Sequence, residues 1–168
     1  MKFYLSALFL TVFVQLGVSP TLADDAVIER ELDQYWSSVA HYLAVGDYEG
    51  LVTTYHPDAV LVSESLGTSY PIAKALVRWK PGILATKAGE AMSMVEFKVT
   101  ERLFSETTSH EKGMFHFKTG PIGEGASDAD VQEAYVHFEA LLLKDGSWTM
   151  VMEYQQQEAS LAEWEAAQ

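Results

Sequence analysis

Tyr135, His137, Glu139 and Tyr154 are the side chains whose types and spacing best suit chemistry on a bound molecule. The first three recur at every second position, so on a β-strand they share one face. Tyr154 joins them through a hairpin. Asp145-Gly146 separates two apolar runs, 131–143 and 148–157, and is a strong two-residue turn signal. Such a turn sets Lys144 opposite Ser147, Leu143 opposite Trp148, Leu141 opposite Met150, Glu139 opposite Met152, His137 opposite Tyr154 and Tyr135 opposite Gln156. This face is apolar near the turn and polar at its far end. There a carboxyl held protonated by burial, or paired with His137 as an acid/base couple, would move protons on a ligand. His137 and Glu139 are therefore the candidate catalytic residues, with Tyr135 and Tyr154 as hydrogen-bond donors. His116, between Phe115 and Phe117 on a neighbouring strand, is a further candidate for the same mouth. The opposite face competes for the interior, because Val136, Phe138, Ala140 and Leu142 are all apolar. With that face inward, the Tyr/His/Glu group meets solvent and the Leu/Trp/Met group serves a dimer contact. A bulge would exchange the two faces.

Other chemistries are excluded more firmly. The 168 residues contain no cysteine, so disulfides, thiol catalysis and Cys-ligated metals are ruled out. The 5 histidines are scattered, none paired at helical i, i+4 spacing with a carboxylate, and no metal is expected. Phosphate-loop, dinucleotide and serine-elbow motifs are absent, so no cofactor is expected. A net charge of -13 repels phosphate backbones and argues against nucleic acid as a partner.

The elements that position these residues follow from periodicity. Ile28, Leu32, Tyr35, Trp36, Val39, Tyr42 and Leu43 form one helical face. Gly46 is a good left-handed stop, and Asp47 caps a second, short helix carrying Leu51, Val52 and Tyr55. Residues 59–62 read as a strand and 63–70 as a polar loop. Pro71 opens a third helix, which Lys80-Pro81-Gly82 ends near Trp79. From Met92 the period becomes two, giving strands at 92–100, 113–118, 131–143 and 148–157, with a Gly-rich loop over 119–130. Helices followed by antiparallel strands make an α+β domain, helices packed on one face of a curved sheet.

The N-terminus has another purpose. Lys2 precedes an uncharged apolar run, 3–18, and Thr21-Leu22-Ala23 supplies small residues at the positions a signal peptidase reads. Residues 1–23 are expected to be a cleaved signal peptide, making the protein secreted or periplasmic with no membrane segment afterwards. The domain then covers 24–157, followed by an acidic tail at 158–168.

Trp36, the run Gly46-Asp47-Tyr48-Glu49-Gly50-Leu51-Val52, the run Tyr55-His56-Pro57-Asp58-Ala59-Val60 and Lys144-Asp145-Gly146-Ser147-Trp148 together resemble the SnoaL-like branch of the nuclear-transport-factor-2-like superfamily. The resemblance covers roughly residues 27–157. It implies a cone-shaped α+β barrel with a pocket at its wide end, a small-molecule ligand and a homodimer built through the sheet. It also implies that helix aromatics border the cavity, which nominates Tyr35 and Tyr55 for the pocket. Aligning Gly46-Asp47 with ketosteroid isomerase places Val39 where that family has its oxyanion tyrosine, and Ser63 where it has its general base. Neither can do that work. Glu139 matches the isomerase's second acidic donor. Two functions follow: an exported protein binding a small, largely apolar molecule, or an isomerase, dehydratase or cyclase using His137 and Glu139.

Overall fold

The computed structural model describes residues 22–167. The expected leader, 1–23, lies outside these residues except for its last two, which open the first helix. That helix, α1 (Leu22–Val45), buries Ile28, Leu32, Tyr35, Trp36 and Val39 along the anticipated face. Gly46 stops it in the left-handed region at φ 70°. Alanine is not tolerated there, since a Cβ would stand 2.3 Å from the Lys87 backbone nitrogen. Asp47 caps α2 (Tyr48–Thr53) by accepting from the Gly50 N–H at 3.0 Å. The helix ends at Thr53, so Tyr55 opens a strand instead of closing α2.

The strands are β1 (Tyr55–Ser63), β2 (Thr68–Pro71), β3 (Ala91–Phe104), β4 (Thr108–Pro121), β5 (Gln132–Asp145) and β6 (Ser147–Glu158). They form one sheet ordered β2-β1-β6-β5-β4-β3. β3 to β6 are an antiparallel meander, but β1 lies parallel to β6. The sheet is therefore mixed, not wholly antiparallel, and it remains open between edge strands β2 and β3. Hydrophobic periodicity carries no strand direction, which is why the sequence could not show this.

The third helix, α3 (Ile72–Ala88), runs through Pro81 instead of stopping at Trp79. Proline removes one backbone hydrogen bond and costs up to about 3 kcal/mol in a helix interior. The apolar face continues past it, however, and buries Ile83 beside Ile72, Ala75 and Leu76. A final helix, α4 (Leu161–Ala166), is set by a capping box between Ser160 and Glu163. The core lies between α1, α3 and the concave face. There Trp36 meets Phe97 and Phe138 at ring-centroid distances of 4.5 and 5.1 Å. Among the described residues no helix is long and apolar enough to cross a membrane. The result is a helix-filled α+β cone.

Candidate functional site

Two local irregularities decide which β6 side chains near the turn face the interior. At the β5–β6 turn Gly146 alone stands between paired Asp145 and Ser147, so Lys144 faces Trp148 and Leu142 faces Met150. The expected pairing of Leu143 with Trp148 is thus shifted by one residue. A second shift between Leu142 and Leu141 sets Leu141 opposite Met152 and Glu139 opposite Tyr154. Leu142, Ala140 and Phe138 are buried with Trp148 and Met150 on the concave side. Beyond the bulge the parity of β6 reverses, and Glu153 and Gln155 take over that side.

The expected mouth lies on the outside of the sheet, the outcome that the all-apolar face of β5 had offered as the alternative. Tyr135, His137 and Glu139 share the convex face of β5. Glu139 takes His110 Nε2 at 3.1 Å and the Gln156 amide at 2.9 Å. His137 lies 3.7 Å from Glu163 of α4, so it and Glu139 have separate partners. Tyr135 stacks on His116 at 4.3 Å, under Trp164 at 5.7 Å. His116 Nε2 sits 2.6 Å from Glu133, which holds that carboxyl below the usual carboxylate range. Tyr154 follows Glu139 to the convex side. Of the nominated pocket residues, Tyr55 lines the cavity. Tyr35 is buried behind it, its hydroxyl donating to the Thr54 carbonyl at 3.0 Å.

The cavity has a volume of about 500 Å³, within the range of small-molecule sites. Its walls are mainly apolar: Trp36 and Val39 from α1, Trp79 and Ile83 from α3, and Phe97, Phe115, Phe117 and Phe138 from the sheet. Val39, at the position of the isomerase tyrosine, belongs to this apolar wall. Ser63, at the position of its base, is buried at the end of β1 opposite Gln155.

A hydrogen-bonded polar cluster is set in the wall. The Tyr55 hydroxyl donates to Glu153 Oε2 at 2.7 Å, and the Gln155 amide donates to Oε1 at 2.6 Å. Burial raises the Glu153 carboxyl above its ordinary value, against the two hydrogen bonds, which lower it. Burial, followed by the neighbouring Glu153 charge, pushes the Tyr55 hydroxyl well up. Glu153 stands opposite Leu61 on the parallel neighbour β1, two residues from Ser63. A carboxyl is thus present in the cavity, one strand away from where the resemblance looked for a base. Arg78 of α3 also reaches the cavity, while Ser93, Thr119 and Gln132 supply its remaining polar lining.

The expected register already sets Glu153 and Gln155 on the face of Val136 and Phe138, as observed; they fall outside the expected mouth only because that mouth is drawn on the opposite face. One available signal was Glu153 itself, a carboxyl on the strand face assigned to all-apolar Val136, Phe138, Ala140 and Leu142. Among the described residues no group of three or more His, Asp and Glu is placed to hold a metal ion.

No protein-family model matches the chain, and no curated protein matches its sequence. Solved structures do match. An NTF-2 like protein of unknown function from Shewanella oneidensis aligns with 77% of this chain and 99% of its own at 14% identity and a TM-score of 0.60. A provisionally named scytalone dehydratase from Novosphingobium aromaticivorans aligns over 81% of this chain and 87% of its own, at 12% identity and TM-score 0.62. A ketosteroid isomerase-like protein from Erwinia carotovora covers 80% of this chain and 95% of its own, at 17% identity and TM-score 0.53. At such identities the likeness concerns architecture, and architecture alone does not fix chemistry. The chain has the nuclear-transport-factor-2-like fold.

Proposed function

We propose that the cone binds a small, largely apolar molecule whose polar group meets Glu153, Tyr55 and Gln155. The observation that carries this reading is a hydrogen-bonded carboxyl standing in an aromatic-walled cavity of about 500 Å³. A core built only for stability would not leave such a space open beside an ionisable group. Thermal melting against a panel of hydrophobic small molecules tests it. At least one compound should raise Tm by mass action, and the rise should shrink in Glu153→Ala. A panel-wide absence of shifts counts against binding.

A second reading is favoured by the raised carboxyl. A Glu with its pKa moved toward neutrality is suited to proton transfer, as an isomerase, dehydratase or cyclase requires. In this reading Glu153 takes the role that the sequence offered to His137 and Glu139. With a substrate in hand, Glu153→Gln should abolish turnover while retaining binding, and His137→Ala with Glu139→Ala should leave it intact. The reverse pattern returns the chemistry to the convex face.

Export through a signal peptide at residues 1–23 belongs to the same proposal. N-terminal sequencing of protein secreted by its host should begin at Asp24; a chain beginning at Met1 removes the export step. We also propose a homodimer formed through the convex sheet face.

A further inference from the structure

We infer that the cavity's ligand is an amphipathic anion whose acidic group is received by Arg78 at the rim. The inference rests on the binding reading above and narrows its ligand class. Arg78 is the single cationic side chain among the described residues that line the cavity, and Glu153 is the single acidic one. Burial favours the neutral form of Glu153, so the two do not simply cancel. Arg78 is also held in place. Its Nη2 donates to the Tyr70 hydroxyl at 2.8 Å, and its guanidinium lies 5.6 Å from the centre of the Tyr70 ring.

Among the described residues Arg78 forms no ion pair, although the chain has 24 acidic residues against 11 basic ones. Arg102, Lys112, Lys118 and Lys144 have a carboxylate partner, whereas Arg30, Lys74, Lys80, Lys87 and Lys98, like Arg78, are in no described ion pair; what sets Arg78 apart is its place at the cavity. Tyr70 takes one of the five N–H donors that a guanidinium carries, leaving a fork suited to a carboxylate or sulfonate. A ligand with an aromatic or alicyclic body and one anionic group would bury that body against Phe97, Phe115 and Phe138 and leave its charge at Arg78.

The net charge of the protein predicts the opposite preference. At -13, a neutral ligand should be accepted more readily than an anion of the same shape, unless a local cation reverses the order. Two fluorescent probes separate these cases. 1-Anilinonaphthalene-8-sulfonate and N-phenyl-1-naphthylamine have the same ring system and differ by the sulfonate. The full chain should bind the sulfonate roughly fivefold to tenfold more tightly, the effect of a charge-assisted contact at a partly exposed site. Arg78→Gln should erase the difference by weakening the sulfonate alone, Arg78→Lys should restore part of it, and added salt should act on the sulfonate only. Ala134→Phe, which fills the cavity, should weaken both probes in protein shown by circular dichroism to be folded.

Equal affinities in the wild type, or a preference that survives Arg78→Gln, would overturn the anion assignment and leave Arg78 as a brace for Tyr70. In that case the neutral probe still binds and the cavity reading stands. If neither probe binds, or Ala134→Phe affects neither, the cavity reading fails and the anion assignment fails with it.

Discussion

Glu153 is the side chain on which the site turns, and its hydrogen bonds set what it can do. Both carboxyl oxygens accept, one from Tyr55 and one from Gln155, and these contacts favour the ionised form. Burial opposes them and prevails, leaving the pKa raised. The sign of the linkage follows. In acid, folded and unfolded chains both carry the proton and the shift has no consequence. As pH rises through the ordinary carboxylate range the unfolded chain ionises first, so stability falls until the folded group has also titrated. Glu153→Gln lacks this loss. Urea midpoints measured from acid to mildly alkaline pH should therefore show the variant gaining on the wild type as pH rises. The gap should then level off, at about 1.4 kcal/mol for each unit by which the folded pKa exceeds the unfolded one. The comparison rests on slope, because the amide also rearranges the bonds to Tyr55 and Gln155. Parallel curves would mean that Glu153 titrates normally and is unsuited to proton transfer.

The elements are held around the site by a second buried carboxyl. Glu111 of β4 is wholly enclosed, its side chain 0% exposed. It accepts from Trp36 Nε1 of α1 at 2.6 Å and from the Ser109 hydroxyl at 2.9 Å. Arg102 of β3 meets it twice. Nη2 donates at 3.3 Å, while Nε stands 3.0 Å from Oε1 as an ion pair without hydrogen-bond alignment. The same guanidinium reaches Asp33 of α1 at 2.9 Å. Arg102 faces inward because a register shift between Val99 and Glu101 reverses the parity of β3. Glu111→Ala leaves the guanidinium with only the exposed Asp33 and removes the acceptor of Trp36 and Ser109, and should cost about 3 kcal/mol in urea unfolding. Glu111→Leu combined with Arg102→Met should recover most of that, since an apolar pair of similar volume avoids the desolvation cost. A double variant as unstable as the single one would show that the network's value lies in its Trp36 and Ser109 bonds.

These bulges also mark where the sequence stops being readable. The face of α1, the Gly46 stop, the Asp47 cap and the meander from β3 to β6 follow from local spacing and capping chemistry. The shifts after Val99 and Leu141 leave no trace in residue type, yet each moves every later side chain to the other side of its sheet. Tyr55, nominated through the resemblance, lines the cavity, while His137 and Glu139 lie outside it because the competing apolar face of Val136, Phe138, Ala140 and Leu142 is the one turned inward. The turn and the bulge cancel in parity beyond Leu141 and exchange only Trp148 and Met150. The expected end of α3 near Trp79 fails for a different reason: propensity at Pro81 is local, and the burial of Ile83 that overrides it is tertiary.

At the scale of the whole molecule the convex face has two unlike halves. α4 covers one, with Trp164 nearly buried against Tyr135 and His116 and Lys98 donating to the carbonyls of Trp164 and Ala167 at 2.8 and 2.9 Å. Across the other half Leu103, His110, Leu141, Met152 and Val60 follow one another on five adjacent strands. Leu103, Leu141 and Leu143 are 61%, 40% and 42% exposed in the protomer, an apolar row with charged neighbours at its edge. A two-fold axis through that row would set it against itself, as isologous dimers do. A stable dimer needs about 800 Å² from each partner, which implies that the neighbouring Lys112 and Glu139 row is also covered. Light scattering should therefore give twice the protomer mass. Leu141→Glu places two carboxylates at the centre of the contact and should yield monomers. Because Leu141 is already partly exposed, the monomer should keep its fold, and its circular dichroism should match the wild type. A wild type of protomer mass would remove the dimer. A dimer indifferent to Leu141→Glu would move the interface to another surface, such as the free edge of β3.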